Sequence, residues 1–199
     1  MKYINKAGML SFQLFIFFSV LIFPQTSSNL DIFRNLTDSL TNKIFESLRY
    51  KTTSIQIISQ ENNQLNYLND QIRSNFIKNN LMVRTGEDVD EILILNFSEA
   101  SVEYPELFKE HIFGKYFLTR KITLSGIVIL LKKSETFDFN FTSLDTIEYS
   151  EYSKFENKLL PFTIGQPPKE PFFSNLIEPI IAISATATAV ILFFTVRSK

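Results

Sequence analysis

Few residues in this chain have side chains suited to catalysis. His111 is the only histidine among 199 residues, and there is no cysteine. No glycine-rich phosphate loop, nucleophile elbow or metalloprotease motif occurs. A single histidine in a polar stretch is far more often a surface residue than a general base. We predict a non-catalytic protein without a cofactor. The alternative, an enzyme or small-ligand sensor, requires a pocket where polar groups such as Arg120, Asp145 or His111 converge.

The densest group of possible metal ligands is acidic: Glu87, Asp88, Asp90 and Glu91. These residues lack the spaced ligands and the glycine of a calcium-binding loop. We therefore predict a solvated turn here and no metal site.

Three phenylalanines, Phe137, Phe139 and Phe141, alternate with polar residues. The simplest explanation is that their rings contribute to the core. The alternative is that one face of this strand is exposed and recruits a partner, because a large exposed apolar patch is usually an interaction site. We identify these three residues as the candidate interaction surface.

Both ends of the chain carry apolar stretches. Residues 1–28 have the layout of a signal peptide, with lysines before the apolar run Leu10–Phe23. That run would span only about 21 Å as a helix, too short for a hydrocarbon core of roughly 30 Å. Residues 175–196 are long enough for a single transmembrane helix, and the basic residues in 197–199 predict a cytoplasmic tail. The predicted location is the cytoplasmic (inner) membrane, with the main domain periplasmic or extracellular.

Composition limits the possible partners. The net charge of −1 gives no electrostatic attraction to nucleic acid, so we expect no nucleic-acid partner. The expected partners are membrane lipid, through the carboxyl-terminal helix, and other envelope proteins. Without cysteine the domain has no disulfides, which fits a bacterial envelope. A third possibility is a eukaryotic single-pass surface glycoprotein, since Asn-x-Ser/Thr sequons occur at Asn35, Asn96 and Asn140.

Hydrophobic periodicity predicts the elements of one domain, residues 29–160. Apolar residues at three- and four-residue steps predict a helix from Leu30 to Leu48, for which Ser28 and Asp31 form a capping box. The long strand Tyr116–Leu131 and the strand that carries the phenylalanines form a predicted hairpin. Within it, Gly126 suggests a bulge or a close backbone approach. The other predicted elements are strands at Ser54–Ser59, Leu81–Arg84 and Glu91–Phe97, helices at 63–79 and 146–158, an interruption at Pro105 and a proline-rich stalk at 161–174.

These elements predict an α/β (α+β) fold. It consists of a mixed sheet with helices on one side, a long carboxyl-terminal β-hairpin and the single transmembrane helix. The helix between the first two strands is a crossover long enough to make them parallel.

The order of elements resembles the α/β module of bacterial envelope assembly proteins. The segments that carry the resemblance are TSIQIIS, NQLNYLNDQIRSNFIKN, LMVRT and RKITLSGIVILLKKSETFDFNF, within residues 29–148. The similar groups are the curli-secretion family, the flagellar outer-membrane assembly proteins and the TolB amino-terminal domain. The resemblance implies a non-catalytic envelope module that binds other proteins. This chain departs from those proteins in lacking a lipidation cysteine and in carrying a carboxyl-terminal helix.

Overall fold

The structure is a computed structural model that describes residues 26–48, 52–59, 64–86, 88–111, 114–169 and 174–197. In the last of these ranges, side chains are described for residues 179–195. Most of the predicted signal peptide, residues 1–28, and most of the predicted tail, 197–199, lie outside the described residues.

Helices and strands follow the order expected of a mixed α/β domain. The five-stranded sheet has the order β2-β1-β3-β4-β5. β1 is parallel to β2 and to β3, whereas the β3–β4 and β4–β5 pairs are antiparallel. The elements are α1 (Asn29–Ser47), β1 (Ser54–Ser59), α2 (Asn66–Lys78), β2 (Met82–Val83), β3 (Glu91–Lys109), β4 (Tyr116–Leu130), β5 (Glu135–Glu148), two short 3-10 helices (Tyr149–Lys154 and Pro161–Thr163) and α3 (Ser174–Arg197). The mixed sheet, the parallel first pair and the hairpin are confirmed.

The capped start of α1 is also confirmed. Ser28 Oγ accepts a hydrogen bond from Asp31 N at 3.1 Å and donates one to Asp31 Oδ2 at 2.6 Å. The bond to Ser28 Oγ occupies the Asp31 amide, one of the first-turn amides that have no partner within the helix. The stripe Phe33, Leu40 and Ile44 is fully buried. Its spacing places these side chains on one face of α1, which packs against the sheet.

One face of the sheet carries the core. On β4 the even-numbered side chains from Leu118 to Leu130 are buried, except that position 126 is glycine. Apart from Arg120, these side chains belong to the same hydrophobic cluster as the buried residues of α1 and α2 and as Phe162. We call this side the covered face and the opposite side the open face. In the part of the chain that is described, the helices that belong to the cluster lie on the covered face, as predicted.

Gly126 makes the close approach that its position in a strand suggested. A Cβ atom there would lie 2.2 Å from Asn96 O and 2.7 Å from the Phe139 ring. The pairing of β3 with β4 shifts between Phe97 and Glu99, beside the glycine. A bulge on β3 and the absence of a side chain at 126 therefore occur together.

β3 is longer than predicted, because Pro105 does not end it. The pairing skips from Glu103–Lys121 to Glu106–Thr119, which places Pro105 in a second irregularity. A proline has no N–H to donate to the ladder, and a bulge leaves its backbone unpaired. The strand then continues to Lys109.

The end of the domain also differs from the prediction. The proposed helix at 146–158 is instead the end of β5 followed by a 3-10 helix, Tyr149–Lys154. Thr163 and Phe162 are buried, and the Phe162 ring packs edge-on against Phe33 at a centroid distance of 4.9 Å. The first part of the predicted stalk, 161–174, is therefore part of the folded domain. The apolar ring at 162 explains why, since burying it adds to the core.

A helix is present where a membrane span was predicted, at 175–196. Among the residues that the structure describes, however, no helix is both long and apolar enough to cross a membrane. The predicted transmembrane helix, and the lipid contact that followed from it, are not supported.

Candidate functional site

The open face of the sheet carries a cluster of isoleucines. Ile58, Ile94 and Ile129 are cross-strand neighbours on β1, β3 and β4. Cross-strand partners point to the same face, so these side chains form one row. Ile92 and Ile127, each two residues from a member of the row, extend it. Ile58 is 43% exposed and Ile127 38% exposed, while the other members are half-buried. We call Ile58, Ile92, Ile94, Ile127 and Ile129 the isoleucine patch.

The sequence pattern of β3 contains evidence for this patch. A continuous apolar run such as that in Glu91–Phe97 is typical of a strand covered on both faces. In the structure, Leu93 and Leu95 are buried on the covered face, whereas Ile92 and Ile94 lie on the open face. Side chains alternate between the two faces of a strand. When helices cover one face, a continuous apolar strand therefore places every second apolar side chain on the face without helices.

Acidic residues border the isoleucine patch. Asp138 is the cross-strand neighbour of Ile127 on β5, and Glu99 is opposite Ser125, two residues further along β4. Among the described strand residues of β3, β4 and β5 on the open face, Lys121 is the basic one, and its Nζ lies 2.9 Å from Glu103 Oε2. The patch is therefore apolar in the centre and acidic at its border.

The phenylalanines of the candidate interaction surface lie on the covered face. Phe139 is 3% exposed and belongs to the core. Phe137 and Phe141 are half-buried and pack against that core from β5, the strand at the edge of the sheet. Phe139 is thus enclosed by its own domain, and contact of Phe137 and Phe141 with a partner stays a prediction.

Of the three polar residues named for a small-ligand site, Arg120 and Asp145 make structural contacts within the domain. Arg120 is fully buried, and its guanidinium makes a bidentate pair with Asp145, with Nε–Oδ1 at 2.8 Å and Nη2–Oδ2 at 2.5 Å. Its Nη1 donates to Ser27 O at 3.0 Å and to Asn29 Oδ1 at 2.7 Å. His111 is exposed just beyond the end of β3. Arg120 and Asp145 therefore come together as a structural pair, without His111.

The Arg120 pair is part of a network that holds the two ends of the domain to the sheet. Asn29 Nδ2 donates to Thr163 O at 2.8 Å, and Asn29 N donates to Phe155 O at 2.9 Å. Nearby, the Tyr104 hydroxyl donates to Glu156 Oε1 at 3.3 Å. Burial, which disfavours the charged phenolate, raises the pKa of Tyr104 to about 12. These contacts join residues far apart in sequence, so no local pattern indicated them.

Two members of the acidic cluster, Asp90 and Glu91, make structural contacts at the start of β3, while Glu87 lies outside the described residues. Asp90 Oδ2 accepts hydrogen bonds from Thr53 N, Thr53 Oγ1 and Ser54 N at 2.7 to 2.9 Å. These bonds, led by the Thr53 amide, lower the pKa of Asp90 to about 2. Glu91 is buried, and its Oε1 accepts the amides of Ile92 and Lys132. Within the described ranges, no three His, Asp or Glu side chains are grouped to hold a metal ion.

One open cleft, of about 460 Å³, lies near the carboxyl ends of α1 and α2. Its lining includes Phe45, Leu48 and Leu81, with Glu46 as the charged side chain. Arg120, Asp145 and His111 do not line it. The cleft therefore does not bring together the polar groups that the ligand-binding alternative required.

Two of the three sequons present an exposed asparagine. Asn35 is exposed on α1 and Asn140 is exposed on β5, whereas Asn96 is half-buried opposite Ile127. A glycan on Asn96 or Asn140 would project from the open face or the neighbouring edge of the sheet.

Comparison with known proteins gives weak likenesses. No family model matches the chain, and no curated protein matches it. A minor lipoprotein from Acinetobacter baumannii is similar with 11% identity over 68% of this chain and 95% of that chain, at a TM-score of 0.34. Rare lipoprotein B from Shewanella oneidensis is similar with 12% identity over 73% of this chain and 93% of that chain, at a TM-score of 0.27. At these scores neither structure supports an argument about this protein.

Proposed function

We propose that this protein is a non-catalytic module of the cell envelope that binds another protein through the isoleucine patch. One observation carries the proposal: contiguous isoleucines lie on the open face of the sheet, where no described helix covers them. Contiguous exposed apolar surface with a polar border is typical of protein-binding sites.

The energy available from the patch is moderate. Complete burial of an isoleucine side chain contributes about 1.5–3 kcal/mol. Because the exposed fractions of Ile58 and Ile127 are 43% and 38%, covering both contributes about 1–2 kcal/mol. The half-buried members add smaller amounts. The patch can therefore anchor a partner, while the acidic border selects which partner fits.

A place in the envelope is supported by sequence. Residues 1–28 have the layout of an export signal, and a cysteine-free domain suits a bacterial envelope. The resemblance to envelope assembly modules agrees with a binding role. The small-ligand alternative is less favoured, because Arg120 and Asp145 bind each other and Arg120 is inaccessible.

Native electrophoresis of complexes tests the proposal. Tagged full-length chain is expressed in its native host, and the solubilised envelope is separated by blue-native electrophoresis. We expect the unmodified chain to migrate in a complex that is lost when Ile58 and Ile127 are both replaced by lysine. The matched control is Thr119→Lys, on the open face but outside the patch, which should leave the complex intact. A complex that persists in the double variant contradicts the proposal.

A further inference from the structure

The outer edge of β5 presents backbone groups that β4 does not use. β5 pairs with β4 from Glu135 to Glu148 without a shift in register. On the other side, Lys43 Nζ donates to Asp138 O at 2.9 Å, so this carbonyl points away from β4. The N–H and C=O of one strand residue point to the same side, and the side alternates along the strand. The outward groups are those of Thr136, Asp138, Asn140, Thr142, Leu144 and Thr146.

Part of this edge is closed and part is open. Lys43 closes the part near Asp138, with its Nζ 4.8 Å from the centre of the Phe137 ring. From Asn140 to Thr146, no hydrogen bond to the outward backbone groups is found among the described residues. Long unpaired edges are templates for another strand, and proteins usually protect them with charges, bulges or covering elements.

The side chains along β5 define the chemistry of a matching strand. β5 contains Glu135, Asp138, Asp145 and Glu148, and it has no lysine or arginine. Asp138 has no ion-pair partner among the described residues, whereas the other three acids pair with Lys133, Arg120 and Lys115. On the covered face, the half-buried Phe141 ring reaches the edge. A matching strand would place apolar side chains beside Phe141 and, at the end nearest Asp138, a basic side chain.

We propose that the edge of β5 between Asn140 and Thr146 accepts an extended segment of another protein as a sixth strand, with a basic residue at the end of that segment beside Asp138. This inference rests on the proposed binding function and names the partner, but it uses the edge of the sheet rather than the isoleucine patch. A second copy fits less well, because it would bring a second acidic β5 to an edge that already carries unpaired Asp138. In this mode of binding, backbone hydrogen bonds supply the affinity, and the alternating side chains supply the specificity.

Peptide binding to the full chain in dodecyl maltoside tests the inference. The probe is a fluorescein-labelled nonapeptide of alternating lysine and valine, and binding is followed by fluorescence anisotropy. The control probe has the same sequence with its backbone N-methylated at alternate residues, which keeps the charge and removes donors. We expect binding of the first probe, and binding of the second weaker by roughly tenfold or more, because the second probe lacks several backbone hydrogen-bond donors.

A proline variant locates the binding site. Thr142→Pro removes an outward N–H and puts the ring where an added strand would lie, yet proline is tolerated at such edge positions. The matched control is Thr142→Ala, which keeps the N–H. We expect the proline variant to bind the probe at least about tenfold more weakly, and the alanine variant to bind as the unmodified chain does. Circular dichroism melting checks that both variants are folded. If Thr142→Pro does not fold, the comparison between the two probes decides.

Several results would overturn the inference. These are absence of probe binding at millimolar concentration, equal binding of both probes, and equal binding by a folded Thr142→Pro variant. A dimer that Thr142→Pro dissociates would show that a second copy occupies the edge. Loss of probe binding in Ile127→Lys but not in Thr142→Pro would assign the peptide to the isoleucine patch, so the proposed function would stand without the edge.

Discussion

The substitution Asp145→Asn tests the buried arginine. Arg120 is fully buried, and its counter-charge is the carboxylate of Asp145, whose side chain is 36% exposed. The amide keeps the shape of the carboxylate and removes its charge. Arg120 then keeps only neutral acceptors, among them Ser27 O and Asn29 Oδ1. The domain should therefore lose stability.

The magnitude follows from the burial of the two partners. Removing one member of a fully buried ion pair costs about 3–5 kcal/mol. Water reaches Asp145 and reduces this cost, so we expect about 2–3 kcal/mol. Domains of this size have a free energy of unfolding of about 5–15 kcal/mol. The loss corresponds to a fall in melting temperature of about 6–9 °C, at roughly 3 °C per kcal/mol.

The assay uses the fragment 26–169, which contains every residue of the hydrophobic cluster. Urea unfolding, followed by circular dichroism, gives the free energy of unfolding of each variant. The matched control is Glu148→Gln, which removes an ion pair whose Lys115 side chain is 69% exposed. The control should cost much less, because solvent screens an exposed ion pair. Equal losses for the two variants would refute the reasoning that Arg120 depends on Asp145.

Three further predictions concern packing and pH. Gly126→Ala places a Cβ 2.2 Å from Asn96 O, so urea unfolding should show a loss of about 1–3 kcal/mol or more, and Ser125→Ala should be nearly neutral. A fragment that ends at 160 loses the buried Phe162 and should be less stable than 26–169 by about 3–5 kcal/mol, whereas equal stability would place the domain boundary at 160. The pKa of Asp90 is lowered to about 2, so its contribution is complete above the unfolded pKa near 4 and is lost as pH falls towards 2. Asp90→Asn should therefore destabilise the fragment at pH 6 and have little effect at pH 2, and an effect independent of pH would contradict this assignment.

Local sequence signals predicted the elements that depend on neighbouring residues. Ser28 and Asp31 indicated the start of α1 because a capping box needs only its own turn. Gly126 indicated a close approach because a glycine within a strand has few other uses. Alternation along β4 and β5 predicted the hairpin.

Features that depend on distant contacts were not predictable in this way. The bond from Asn29 to Thr163 joins residues 134 apart in sequence, and nothing near either residue indicates it. Phe162 follows a proline, so its sequence context predicts part of a stalk. Only the fold shows that its ring packs against Phe33. Thr123 belongs to the open face by alternation yet is only 5% exposed, and the alternation of the strand does not indicate this burial.

The isoleucine patch required both kinds of information. β-branched residues at 92, 94, 127 and 129 predict strands. Their assembly into one surface depends on the register that joins β1, β3 and β4. Local pattern therefore identified the strands, and only the sheet topology showed which side chains share the open face.

Site-specific photocrosslinking from Ile127 tests the central claim most directly. A photoreactive phenylalanine analogue is placed at 127, in the isoleucine patch, or at the exposed Ser39 on α1 as the control. The full chain is expressed in its native host, irradiated and analysed for crosslinked products. We predict a discrete crosslinked protein from position 127 and none from position 39. Crosslinking from position 39 but not from 127 would contradict a binding role for the open face.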